Sequence, residues 1–140
     1  MPTTATRPNA IGAPGYSETW PCEPETASRA RSLVRAALYT WKLDVLVDDG
    51  VLIASELVGN AVQHSRCRLL RASVVLLSPG RVRLSVSDRS LALPKVQEAG
   101  EESVTGRGLM LIDELADRWD TDVRRWGKVV WAELHVSGDA

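Results

Sequence analysis

The sequence predicts an α+β fold, a two-layer α/β sandwich whose mostly antiparallel sheet is covered on one face by helices. Two observations support this prediction. Segments with apolar residues at helical spacing are interspersed among segments in which apolar and polar residues alternate. The strictly alternating segment Arg81–Asp88 has one apolar and one polar face, which is typical of an antiparallel strand covered on one side.

The composition is that of an ordinary globular protein. The 140 residues include 44% hydrophobic and 25% charged side chains, and the net charge is −1. So small a charge gives no argument for binding to nucleic acid or to a membrane surface. The chain has no apolar run of about 18 residues that could span a membrane, and its first residues lack the apolar core of a signal peptide. We therefore expect a cytoplasmic protein.

The first elements can be assigned from local patterns. Residues 1–15, rich in Pro, Gly and Thr, are predicted to be a flexible tail, so a single domain spans residues 16–137. Tyr16–Pro21 is predicted to be a short strand at the edge of the sheet, because Pro21 ends it. A helix is predicted over Pro24–Lys42, with apolar residues at helical spacing (Ala27, Ala30, Leu33, Val34, Ala37, Leu38 and Trp41).

The central helix is predicted to run from Asp44 to about Ser65, with its apolar residues on one broad face. Glu56, Asn60 and His64 are four residues apart, so they stack roughly 6 Å per step on the opposite face. An ordinary solvated face would mix Lys and Glu. A carboxylate, an amide and an imidazole can instead polarise a water, ligate a hard cation or hydrogen-bond a ligand.

The second half of the chain is predicted to form two hairpins around a loop and a helix. Strands over Leu69–Leu77 and Arg81–Asp88 flank a turn, and Asp88 lies where the second strand opens into a loop. Residues 89–105 form either a mobile lid or a simple surface connection. The closing hairpin is predicted around Gly127, with strands over Arg118–Arg125 and Lys128–Val136.

A glycine pair precedes the last helix, which is predicted over Leu109–Asp117. Gly106 and Gly108 flank Arg107, and glycines at the start of a helix let the backbone approach an anion, which the free N–H groups favour. Two glycines also commonly form only a tight turn. The chain has no P-loop, no GxSxG nucleophile motif and no GxGxxG dinucleotide motif.

Taken together, four stretches resemble the GHKL ATP-binding family of gyrase, Hsp90-type chaperones, histidine kinases and MutL proteins. They are Ser55–His64, Val86–Ser90, Gly106–Ile112 and Gly127–Leu134. Within that family the chain is most similar to the small anti-sigma-factor serine/threonine kinases of the SpoIIAB and RsbW type, in the stand-alone form abundant in actinobacteria. The resemblance covers roughly residues 16–136. It implies the Bergerat-type ATP-binding fold, with ATP and Mg²⁺ as cofactors.

The resemblance also implies roles for individual residues. Asn60 would hold Mg²⁺, Glu56 would orient or deprotonate the attacking hydroxyl, and Asp88 would accept a hydrogen bond from the adenine amino group. His64 either contacts the nucleotide or merely packs at the helix end. The other nucleotide-binding positions would be Ser90, Ala92, Gly106, Arg107, Gly108 and Leu109.

Two departures from the family pattern bear on activity. Ser90 and Ala92 replace the glycines of the Asp-x-Gly-x-Gly motif. The threonine that supports the adenine-binding aspartate from the last strand is matched to Val129, which has no hydroxyl. Losing that polar contact would cost on the order of 1 kcal/mol of nucleotide binding.

The resemblance implies a kinase that phosphorylates a STAS-type anti-anti-sigma factor and sequesters a sigma factor. The departures keep an alternative open, a catalytically weak or inactive ATP-binding module that regulates transcription by docking a partner. A histidine-kinase fragment is disfavoured because the chain has no His-bearing helical hairpin. Members of the family often form homodimers, and the Tyr16–Trp20 strand and the Arg29–Arg35 helix face are candidate surfaces.

Overall fold

The computed structural model describes residues 5–6, 14–64, 68–89 and 110–137. Its elements in chain order are β1 (Ala5–Thr6), β2 (Gly15–Pro21), α1 (Thr26–Thr40), a short 3-10 helix (Asp44–Leu46), α2 (Val47–His64), β3 (Leu69–Ser78), β4 (Arg81–Asp88), α3 (described over residues 110–115), β5 (Arg118–Arg124) and β6 (Gly127–His135). The strands form one six-stranded sheet in the order β1-β2-β3-β4-β6-β5, and every neighbouring pair is antiparallel. The predicted α+β fold is therefore confirmed.

Helix α2 packs its apolar stripe against the sheet. Ile53, Leu57 and Val58 are at most 2% exposed, and they belong to the same core as Val82 and Leu84 of β4. Burying an aliphatic side chain of this size completely stabilises the fold by roughly 1.5–3 kcal/mol. The packing of α2 thus fixes which of its side chains remain at the margin of the core.

The two faces of the sheet differ as the sequence predicts. In an antiparallel pair, residues directly opposite each other share a face. The alternate residues Val82, Leu84 and Val86 of β4 are buried beneath the helices, whereas Arg83 and Ser85 are half-buried on the other face. We refer to this second face as the arginine face of the sheet.

The outer edge of β2 differs from the prediction. Ala5 and Thr6 of β1 pair with Ser17 and Tyr16, so β2 has neighbours on both sides along this stretch. The prediction of an edge strand from Pro21 was therefore wrong at Tyr16 and Ser17, whereas the rest of β2 pairs only with β3 among the described residues. A proline at the last residue of a strand lacks only a terminal hydrogen-bond donor, and it leaves pairing along the rest of the strand intact.

The arginine face contains a fully buried carboxylate. Glu133 is 0% exposed, and it accepts hydrogen bonds from Arg83 Nε (2.9 Å) and Arg118 Nε (3.0 Å). The Arg83 guanidinium also lies 4.1 Å from the ring centroid of Trp131. Burial raises the pKa of Glu133, but the hydrogen bonds and charges of Arg118 and Arg83 outweigh it, so the pKa lies below its ordinary value.

Among the described helices, none combines the length and hydropathy that crossing a bilayer requires. Cys67 and nearly all of the predicted 89–105 loop lie outside the described residues.

Two glycine substitutions are expected to have opposite effects. A Cβ at Gly127 would lie 2.6 Å from Arg89 Cα and closer still to the Asp88 carbonyl oxygen, so Gly127→Ala should destabilise the fold by roughly 1–3 kcal/mol. A Cβ at Gly59, inside α2, would meet nothing within 4 Å, so Gly59→Ala should stabilise by about 0.5–1 kcal/mol. Urea denaturation measures both changes, and effects of the same sign would contradict this account.

Replacement of the buried carboxylate should change stability in a pH-dependent way. A lowered pKa means that Glu133 stabilises the fold above its unfolded pKa, and that this stability is lost as pH falls through the folded pKa. We expect Glu133→Gln to cost about 1.5–3 kcal/mol at pH 7, since hydrogen bonds to a charged group are lost, and to flatten the acid side of the stability curve. Asp122→Asn, at a partly exposed carboxylate paired with Arg124, is the control. Equal acid sensitivity in Glu133→Gln and the wild type would contradict the prediction.

Candidate functional site

Helix α2 places its polar residues beside the buried stripe. Asn60 and His64 line a recess together with Leu57 and Ala61, the spacing of a single helix stripe. The prediction that Asn60 and His64 lie opposite the apolar face was therefore wrong. Side chains three positions apart on an α-helix differ in direction by only about 60°, so each of the two lies beside a buried residue of the stripe. The two side chains are half-buried at the boundary between core and solvent.

The sheet forms the other wall of this recess, which has a volume of about 20 Å³. The sheet residues that line it come from the adjacent strands β4 and β6, namely Val86, Asp88, Lys128 and Val130. The structure thus brings Asn60, His64 and Asp88 together, three residues that the sequence places far apart. Glu56 is half-buried one turn earlier on α2 and does not line the recess.

Asp88 forms a buried ion pair with Lys128. The two residues are directly opposite each other in the β4–β6 register, and Lys128 Nζ lies 3.2 Å from Asp88 Oδ1. The side chain of Lys128 is 4% exposed, and that of Asp88 is 2% exposed. Charges buried this deeply are tolerated only when they are paired, so each residue holds the other in place.

The register corrects the residue matched to the supporting threonine. Val129 pairs with Ser87, so its side chain lies on the arginine face, away from the recess. Lys128 is the residue of β6 that faces Asp88, and the sequence analysis missed it. One signal was available: Lys128 is in phase with Val130, Ala132 and Leu134, the buried alternate residues of the same strand.

The side-chain amide of Asn60 is suited to a ligand. Its Nδ2 is buried and has no hydrogen-bond partner among the residues that the structure describes. Rotation of the amide exchanges Nδ2 and Oδ1, so the group can present either a donor or an acceptor to the recess. A buried polar group without a partner costs about 1–3 kcal/mol, a cost that a bound ligand would remove.

The donor set near Asn60 fits Mg²⁺ bound through a ligand. Within the described ranges, no group of three or more His, Cys, Asp or Glu residues could hold a metal ion. Mg²⁺ usually takes only one or two protein oxygens and completes its shell with waters and substrate phosphates. The amide oxygen of Asn60 can supply one such ligand.

Asp88 also borders a larger cavity, of about 690 Å³, at the same end of the sheet. Three arginines line it, Arg68, Arg71 and Arg89, together with Trp126 from the turn between β5 and β6. Three guanidinium groups around one opening favour the approach of an anion. Arg71 lies on the arginine face, so a negatively charged ligand would be attracted mainly to the side of the sheet opposite the recess.

The remaining predicted site residues lie outside the described part of the chain. They are Ser90, Ala92, Gly106, Arg107, Gly108 and Leu109. Their assignment to the nucleotide phosphates and base stays a prediction.

One known family matches most of the chain. A family model described as a histidine kinase-like ATPase domain matches residues 20–134, from the end of β2 almost to the end of β6. Asn60, Asp88 and Lys128 all lie within the matched segment. No curated protein matches the chain.

Proposed function

The chain belongs to the histidine kinase-like ATPase domain family, and on that premise we propose that it is an anti-sigma-factor serine/threonine protein kinase that uses Mg-ATP. Its substrate would be a STAS-type anti-anti-sigma factor, and its second partner a sigma factor, in the cytoplasm. The observation that carries the proposal is one arrangement: Glu56 lies on α2 one turn before Asn60, and Asn60 shares a recess with Asp88.

Each side chain has a separate task in this proposal. Asp88 accepts a hydrogen bond from the adenine amino group, and His64 contacts the nucleotide from the end of α2. Asn60 contributes an oxygen to the metal, and bound Mg²⁺ would neutralise charge on the phosphates. These three side chains border one recess, which must widen before a single nucleotide can contact all of them.

Glu56 would orient the hydroxyl of the partner's serine or threonine and accept its proton. The hydroxyl oxygen attacks the γ-phosphorus, the bond to the β–γ bridging oxygen breaks, and ADP leaves. Glu56 is four residues before Asn60, so it lies about 6 Å nearer the N-terminus of α2 along the helix axis. That separation lets one residue bind the metal while the other reaches the incoming hydroxyl.

Features of the base-binding end of the recess favour a second function. Lys128 is bonded to Asp88, and a recess of about 20 Å³ is far smaller than a purine. Ser90 and Ala92 also stand where the family has glycine. These features support a weakly active or inactive ATP-binding module that acts by docking its partner. Formation of a homodimer is compatible with either function.

We expect Asn60→Ala to abolish the Mg²⁺-dependent part of ATP binding, because the metal would lose its protein ligand. The variant should remain folded, since Asn60 Nδ2 has no hydrogen-bond partner in the described ranges. Calorimetric titration with ATP, with and without Mg²⁺, measures the effect, and Gln63→Ala, at the exposed position three residues further along α2, is the control. An unchanged Mg²⁺ dependence would remove Asn60 from the metal site.

Glu56→Gln should leave ATP affinity unchanged and slow phosphoryl transfer by roughly 10²–10⁴-fold, the usual contribution of a positioned base. The assay follows labelled phosphate from ATP to serine or threonine of candidate STAS-type partners. Glu25→Gln, at an exposed carboxylate before α1, is the matched control. If the wild type binds ATP and a partner but forms no phosphoserine or phosphothreonine, the kinase proposal fails and the docking module replaces it.

A further inference from the structure

We propose that Lys128 is a base-recognition residue that makes the purine site tolerant of a keto group at position 6, so that the protein binds inosine triphosphate (ITP) nearly as well as ATP. The inference rests on the proposed binding of ATP at Asp88. It adds a specificity-determining residue that the sequence alone does not single out.

The position of Lys128 ties it to the base-recognising carboxylate. Lys128 and Asp88 are opposite each other in adjacent strands, and their charged atoms are 3.2 Å apart. Both side chains are nearly inaccessible, at 4% and 2% exposure for Lys128 and Asp88, respectively. A base that hydrogen-bonds to Asp88 would therefore lie beside the ammonium group.

The chemistry of the pair differs from that of a lone aspartate. A carboxylate only accepts hydrogen bonds, so alone it complements the amino group of adenine and repels a keto oxygen at the same place. An ammonium group has three donors and no acceptor. Side by side, Asp88 and Lys128 present an acceptor and a donor to the same recess.

Both purine edges can match this pair. Adenine has an amino donor at position 6 beside the acceptor N1, whereas hypoxanthine, the base of ITP, has a keto acceptor at position 6 beside the donor N1–H. Adenine would donate to Asp88 and accept from Lys128. Hypoxanthine has its donor and acceptor in the opposite order, so the Lys128 ammonium would have to move beside position 6, where it donates to the keto oxygen while N1–H donates to Asp88.

Lys128 is also the lining residue best able to make room for a base. The recess of about 20 Å³ holds about one water, so a side chain must retract before a purine enters. Of the residues around it (Leu57, Asn60, Ala61, His64, Val86, Asp88, Lys128 and Val130), lysine has the longest flexible stem. Its ammonium can move with the base and keep a carboxylate partner.

The test compares dissociation constants for ATP and ITP, each with Mg²⁺, measured by calorimetry on the full chain. ITP rather than GTP is the probe, because ITP lacks the 2-amino group of GTP. ATP and ITP therefore differ only at positions 1 and 6 of the base. A buried hydrogen-bonding group left mismatched costs roughly five- to 150-fold in affinity. Lys128 removes that mismatch in the wild type, so we expect the dissociation constant for ITP to lie within about tenfold of that for ATP.

Lys128→Met should widen the ratio of the ITP and ATP dissociation constants at least about fivefold, because the donor for the keto oxygen is lost. Lys42→Met makes the same substitution at an exposed lysine after α1, and it should leave the ratio at the wild-type value. A ratio in Lys128→Met equal to that of the wild type overturns the inference.

If Lys128→Met fails to fold, the ratio of the ITP and ATP dissociation constants of the wild type tests the inference. A wild type that binds ATP but rejects ITP by more than about tenfold also overturns the inference, and it leaves the proposed ATP-dependent function standing. A wild type that binds neither nucleotide overturns the proposed function itself.

Discussion

The register between β4 and β6 is the constraint on which both the core and the site depend. It sets Asp88 against Lys128 and Val86 against Val130, all on the helix-covered face. Because strand side chains alternate, a slip of one residue would bring Val129 to Asp88 and expose the buried residues of β6. A side chain at Gly127 would collide with the backbone of Asp88 and Arg89, so glycine is required there for the strand ends to keep this register.

The site is built at the border of the hydrophobic core. The stripe of α2 that buries Leu57 and Ala61 also carries Asn60 and His64 to the recess, so one packing interaction positions both polar groups. On the arginine face, the buried Glu133 is instead paired with the guanidinium groups of Arg83 and Arg118, and the Arg83 guanidinium also lies over the ring of Trp131. In both places, polar groups are positioned by neighbours from strands that are distant in sequence.

The sequence predicted what depends on local periodicity. The alternation of Arg81–Asp88 predicted an antiparallel strand covered on one side, and the four-residue spacing predicted that Asn60 and His64 share one stripe of α2. The pairing of Lys128 could not be predicted in the same way, because its partner is 40 residues away and is set by the register of the two strands. Burial of Glu133 likewise depends on arginines from β4 and β5, and the two residues of β1 are too few to carry any pattern.

The order of strands in the sheet also affects how the chain folds. The β3–β4 and β5–β6 hairpins close over turns of about two residues, whereas β4 meets β6 only after a loop of some forty residues is closed. The entropy of loop closure rises with loop length, so we expect the hairpins to form early and the β4–β6 seam late. Until that seam closes, each hairpin has an unpaired strand edge that can pair with another chain. Newly synthesised protein would be most prone to aggregation in this interval, and its nucleotide site would appear only with the last major pairing.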